Sequence, residues 1–378
     1  MRASPRFVLG ALLALFTGLS GQAGATSPAT SPDRSSGATV TGSEPATYSG
    51  NRRSGELYGL AQNAAFRVAL QSEDNLQWIS FWVAQGAGYF SDEGLNLQVV
   101  VPPMPGAAAR FMVMGRADAA ILPPPLLFDS IARGEPVVAI ANLLHNDPIN
   151  LVLRGELAEE LGISTDMPWE DRVRAMQGLK VGVAPGPQSR LRAMLASADL
   201  DPDEHFELVI IDGAAQNEAF GGGRVDALYA HSPYLETALL TQHAVVVLDQ
   251  AAGEVPRLAD RQIYSLVTTR SNVKARADEL AAVVRALHRA QLLIHDSPDA
   301  AAEALGSTAI SFREPQGPET IVRLYGPAVP PTPAVSAQRL ARETELLPAH
   351  RPAPELSGID LNEHVDNRFV EQALRGDR

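Results

Sequence analysis

The chain has 378 residues, with 31 Lys and Arg against 44 Asp and Glu, a net charge of −13 and no cysteine. An acidic surface argues against nucleic acid or anionic membranes as partners. The missing thiols exclude disulfides, thiolate metal sites and Cys nucleophiles, and a chain of this length can bury about two cores by packing alone.

In chain order, Arg2 and Arg6 precede a short apolar run over 7–19, and Ala23, Gly24 and Ala25 then form a small-residue pattern that a signal peptidase accepts. The run is too short to span a bilayer comfortably. With no Cys for a lipid anchor and no twin-arginine pair ahead of it, residues 1–25 are predicted to be a cleavable signal for secretion to the periplasm. Residues 26–63, rich in Ser, Thr, Pro, Gly and Ala, read as a disordered leader.

The folded body opens with a strand pattern over 66–70 and a loop over 71–77. Trp78, Phe81, Trp82 and Gln85 then recur at helical spacing and share one face. Gly88 supplies a left-handed stop, Tyr89 and Phe90 cap the hydrophobic layer, and Leu95, Leu97 and Val99 alternate as a strand. A short helix over 107–114, a buried strand over 117–122, a helix over 126–133 stopped by Gly134, and a strand over 137–142 follow. Residues 149–153 cross to a second region, where strands over 181–183, 207–211, 227–230 and 245–248 alternate with helices over 189–197, 216–220 and 233–240.

The strand over 264–268 is predicted to return to the first region, and a long helix over 275–294 aligns Leu280, Val284, Leu287 and Ile294, interrupted by Gln291. The Pro-rich run 326–333 reads as a surface loop. The expectation is an α/β fold: lobe 1 from 64–151 and 264–378, lobe 2 from 152–263, joined by two crossings that form a hinge. A small ligand belongs in the cleft between such lobes, and their closure would report it.

Several stretches together carry a family resemblance. They are Gly88-Tyr89-Phe90 with Glu93-Gly94-Leu95, Gly115 to Ala120 (GRADAA), Gly134 to Val138 (GEPVV), Leu179 to Val183 (LKVGV), Gly223 to Ala227 (GRVDA) and Ser232-Pro233. In this order and spacing the chain resembles the periplasmic substrate-binding proteins of ABC importers, in the branch for nitrate, sulfonate, taurine and thiamine pyrimidine precursors. The likeness runs over about 65–305, with an echo at 365–370. It implies a periplasmic binding protein type II fold, a small-molecule ligand, an ABC permease and ATPase as partners, a monomer, and neither cofactor nor catalysis.

Binding positions carried over by matching loops are Gln77 and Trp78, then Leu122 and Pro123, then Gly186, Pro187, Gln188, Ser189 and Arg190, and then His231 and Tyr234, with Asn142 and His145 as weaker candidates. Read from the residues alone, the 186–190 loop joins a strand to a helix start, where free backbone N–H groups, Gln188, Ser189 and a bidentate Arg190 suit an anion. Simple capping by Ser189, with Arg190 in solvent, is the alternative. Trp78 suits either the core or the cleft mouth, and Tyr234 either the cleft or its own helix. Pro123, Pro124 and Pro125 depart from the family's familiar members, because they offer no backbone N–H.

Trp78, His231 and Tyr234 would suit a planar aromatic molecule. The ligand expected is therefore a sulfonate, carboxylate or pyrimidine-like compound. Signatures of enzymes are missing: no Gly-x-Ser-x-Gly elbow, no phosphate-binding Gly-Lys-Ser/Thr loop, no His-Glu-x-x-His pair, and only scattered histidines in place of a metal set. Gly221-Gly222-Gly223 reads as a turn. A lyase or pyrimidine-precursor synthase on the same fold, and a sensor presenting its ligand to a membrane receptor, are the competing readings.

Overall fold

The computed structural model describes residues 65–73, 75–346, 356 and 358–376. The expected signal peptide (1–25) and leader (26–63) lie outside the described residues. Among those described, no helix is long and apolar enough to cross a membrane.

Ten strands form two sheets of five. They are β1 (Phe66–Ala69), β2 (Leu97–Val100), β3 (Ala119–Leu122), β4 (Val137–Leu144), β5 (Asn150–Arg154), β6 (Lys180–Val183), β7 (Glu207–Ile210), β8 (Ala227–Ala230), β9 (Ala244–Leu248) and β10 (Tyr264–Thr269). The sheet orders are β2-β1-β3-β10-β4 and β7-β6-β8-β5-β9. β10 returns from beyond the second sheet to run antiparallel between β3 and β4, and β5, the first strand of the second sheet, runs antiparallel between β8 and β9. The backbone therefore crosses at 145–149 and again at 249–263. Because the remaining neighbours are parallel, helices must cover both faces of each sheet.

In the first lobe one face packs on helices Ile79–Gly86, Ala277–Asp296, Pro298–Gly306, Gly317–Tyr325 and Arg368–Gly376. The expected helix over 79–86 forms with Phe81 and Trp82 buried and Gln85 exposed. Gly88 follows at φ +75°, the left-handed stop, and the turn winds into a short helix at Tyr89–Asp92. Gly86 is needed for a different reason: a Cβ there would lie 1.8 Å from the Ala304 carbonyl oxygen, so this helix crosses Pro298–Gly306 in backbone contact.

Three sequence expectations change. The helix starting at residue 126 begins instead at Pro124, since proline's fixed φ and missing N–H suit a first turn. The long helix expected over 275–294 forms as Ala277–Asp296, and a separate short helix, Arg270–Ala275, precedes it, the two parted where Arg276 turns to pair with Asp118 at 2.7 Å and Glu279 at 2.8 Å. Gln291 does not weaken burial. Its Nε2 donates to the Asn142 carbonyl at 2.9 Å inside the core.

The Pro-rich run is not a surface loop. Gly326, Ala328, Val329, Pro330 and Pro333 are buried. The Asn142 N–H donates to the Pro333 carbonyl at 2.8 Å and the His145 N–H to the Ala328 carbonyl at 2.9 Å. The run lies on the outer edge of β4 because that edge needs acceptors, which proline can provide without its own N–H.

A third link between the lobes follows. Helix Ala337–Arg342, capped by Ser336 Oγ accepting from the Arg339 N–H at 3.2 Å, places Leu340 in the first lobe's core. The turn Glu343–Leu346 then carries Leu346 into the second lobe's core beside Val183, Leu191 and Tyr229.

Candidate functional site

At the carboxyl ends of the strands, where α/β sheets leave a crevice, the loops of both lobes and both crossings enclose a cavity of about 200 Å³. The first lobe contributes Gln77 and the wall Pro123, Pro124 and Pro125. The second contributes Gly186, Pro187, Arg190 and His231, the crossings contribute Asp147, Pro148, Ile149 and Ile263, and Tyr264 enters from the start of β10. Gln77, Pro123, Gly186, Pro187, Arg190 and His231 are thus brought together around one space.

The other candidates lie elsewhere. Trp78 is fully buried, edge-on to Tyr264 at 5.2 Å, with its indole Nε1 unpartnered: it belongs to the core. Leu122 ends β3 inside the first lobe. Asn142 is fully buried on β4, its backbone held by Pro333 and Gln291. His145 turns to the Pro327 carbonyl at 3.0 Å, and burial holds its imidazole pKa below the ordinary value. Gln188 is half-buried at its helix start and is not part of the lining. Ser189 Oγ donates to the Leu346 carbonyl at 3.0 Å, so it fastens the third link and does not cap its helix.

Tyr234 closes over Gly213 and lines a second interlobe cavity of about 230 Å³ with Leu76, Glu236, Thr237, Phe312 and Glu314. Its ring lies 5.6 Å from that of His231, which sits on the first cavity. Across the second cavity Thr237 Oγ1 donates to Glu314 at 3.0 Å, and Glu236 accepts from Ser232. Burial pushes the Glu236 carboxyl up to about 7, with Glu314 adding to the shift.

Around the first cavity, five lining prolines, Pro123, Pro124, Pro125, Pro148 and Pro187, have no backbone N–H to donate. The N–H groups of Arg190 and Leu191 already donate to the Pro187 carbonyl, and that of Gln77 to Asn75 Oδ1 at 2.9 Å. His231 Nδ1 donates to the Ser232 carbonyl at 2.6 Å.

Arg190 lines the cavity, yet it is committed within the protein. Its Nε meets Asp147 Oδ2, and its Nη2 meets Glu343 Oε2 at 2.9 Å. Arg261 approaches Glu343 at 3.6 Å and Glu345 at 3.3 Å, extending the cluster. Burial would pull the Arg190 pKa down, but Asp147 and Glu343 hold it above its ordinary value. The same burial pushes the carboxyls of Asp147 and Glu343 up, an effect that Arg190 only partly offsets. Tyr264, pushed up to about 12 by burial, keeps its proton. The Ile149 N–H also bonds the Asp147 carboxyl, and Arg261 Nη1 faces Oε1 of Glu343.

Asp147 and Glu343 were missed as site residues. Asp147 had a signal, an acid close to His145 just past a strand end at the first crossing. Glu343 had none, since its partner lies 153 positions away.

The two-lobed architecture is that of known binding proteins. The alkanesulfonate-binding protein SsuA from Xanthomonas axonopodis pv. citri, solved with MOPS bound, superposes with a TM-score of 0.55 at 16% identity, covering 80% of this chain and 98% of its own. The periplasmic nitrate-binding protein NrtA from Synechocystis PCC 6803 gives 0.55 at 15% identity, covering 83% and 89%. The desulfurization enzyme DSZB gives 0.53 at 16% identity, covering 83% and 100%, so this fold also hosts catalysis. No curated protein matches the sequence. With two mixed sheets in the orders above, the fold is the α/β periplasmic binding protein type II fold. The family model described as "NMT1/THI5 like" matches residues 75–301, and the chain belongs to that family.

Proposed function

We propose that this protein is the extracytoplasmic solute-binding component of an ABC-type importer, capturing a small organic molecule between its lobes and delivering it to a membrane permease. The observation that carries this reading is the 200 Å³ cavity formed by loops of both lobes and both crossings. Such a site is completed only when the lobes are together, so ligand binding and closure are one event. The volume is below the usual range for drug-sized ligands, which points to a small solute. Pro123, Pro124, Pro125, Pro148 and Tyr264 give it flat apolar walls for a planar molecule.

The sulfonate- and nitrate-binding structural neighbours support transport, and the desulfurization enzyme is the contrary precedent. Cys-based chemistry is closed to a chain without cysteine. The test is a thermal-shift screen of small acids, sulfonates, amines and pyrimidines, since a ligand bound only by the folded state raises the melting temperature. A hit should be recovered unchanged after prolonged incubation and should compact the protein in small-angle scattering. Recovery of a converted product would overturn the transport reading in favour of an enzyme.

A further inference from the structure

We infer that Glu343 sets the charge selectivity of the cleft: from the third link it occupies the Arg190 guanidinium that an anionic solute would need, so the site accepts neutral or amine-bearing solutes and rejects anions. This rests on the solute-binding reading, which it deepens.

Among the described residues that line the first cavity, Arg190 is the one arginine or lysine. Asp147 and Glu343 face it from the first crossing and from the turn Glu343–Leu346, and both are almost wholly removed from solvent, at 0% and 2% side-chain exposure. An entering sulfonate or carboxylate would have to displace one of these carboxylates and leave it buried without a partner. It would also bring a third negative charge to Asp147 and Glu343.

The backbone beside Arg190 has no N–H at Pro185 or Pro187, and the N–H groups of Arg190 and Leu191 are already used. Asp147 and Glu343 surround Arg190 with two carboxylates, a setting that an amino or amide group on the solute complements and an anion does not.

Glu343 is placed to act through Arg190 and not by touching the solute. Its own position is fixed by Leu346 in the second lobe's core and by Ser189 Oγ on the Leu346 carbonyl. Neutralising Glu343 therefore frees one guanidinium edge without removing the link that carries it.

The experiment is calorimetric titration of the full chain and of Glu343→Gln with ethanesulfonate, nitrate and 4-aminopyrimidine. Ethanesulfonate is expected to bind Glu343→Gln about tenfold to a hundredfold more tightly than wild type, the worth of one freed charge-assisted hydrogen bond. The gain should vanish in Glu343→Gln/Arg190→Ala, while 4-aminopyrimidine binding should not rise in Glu343→Gln. A folded Glu343→Gln with no gain overturns the inference, as does a gain that survives loss of Arg190.

Should Glu343→Gln fail to fold, wild type decides alone: ethanesulfonate or nitrate binding tighter than about 1 mM, the weakest affinity that still counts as capture, overturns the inference and leaves transport standing. Conversely, a gain in the variant with no solute binding by wild type would support the selectivity role and count against transport.

Discussion

The two walls of the cleft are built on the same sheet plan but from opposite materials. The first lobe presents Pro123, Pro124 and Pro125 at the end of β3, a wall with shape and almost no polarity. The second presents Arg190 locked between Asp147 and Glu343, a wall whose charges are turned inward on one another. Equal topology thus leaves recognition undetermined. The first wall constrains by rigid backbone, while the second constrains by electrostatic balance, which a single substitution can upset.

Arg190→Ala attacks the ionic wall and carries the largest expected effect. It strands two buried carboxylates, so a loss of about 3–5 kcal/mol in folding stability is expected at neutral pH, read by urea denaturation. The loss should shrink in acid as both carboxyls protonate. A loss no greater than that of an exposed arginine would show that the wall is not ionic in the sense argued.

Glu236→Gln sharpens the same contrast at the second cavity. The folded carboxyl titrates at about 7 instead of 4.5. A raised carboxyl pKa means that its contribution is favourable below the unfolded value and is lost as pH rises to the folded one. Wild type should therefore lose about 3 kcal/mol relative to Glu236→Gln between those two pH values and nothing further above them. Parallel stability curves for the two proteins would refute the assignment.

On the proline wall, Pro123→Ala should cost only about 0.4–1 kcal/mol, through the freer unfolded chain. Its informative readout is binding, because it introduces an N–H at the end of β3. If anion affinity rises, donor scarcity on this side also shapes selectivity. At the bottom of the scale, Arg133→Ala breaks a pair with Glu135 whose arginine is 53% exposed. A change of less than about 0.5 kcal/mol is expected there, and a larger one would undermine the buried-against-exposed distinction.

What the sequence revealed depends on range. The helix 79–86 and its Gly88 stop were legible because period and punctuation are local. The return of β10 was legible because an apolar strand pattern recurs after the second rhythm ends. Gln77 and Pro123 came from matching loops to the family that the chain resembles, and Gly186 also from its place between a strand end and a helix start.

Trp78 shows the limit. Helical spacing puts it on the face shared with Phe81 and Trp82, and only the arrival of Tyr264 from far along the chain decides that this face is core. Arg190 shows it more sharply. The residue was readable as a cation near a cleft, but whether it meets ligand, solvent or protein depends on acids 43 and 153 positions away. Period and spacing carry no information over such distances.

The proline run beside β4 has a consequence outside ligand binding. β4 is the terminal strand of its sheet, and its Asn142 and His145 N–H groups would otherwise be a template for a strand from another molecule. The run meets them with carbonyls alone. At Ala139 the edge is covered in the opposite sense, by the Asp366 N–H donating to the Ala139 carbonyl beside a bridge at Val365. A covering segment built from Pro327, Pro330, Pro331 and Pro333 cannot itself donate a ladder, so growth of the sheet stops there. The feature that looked like a loose connection is a terminator against polymerisation.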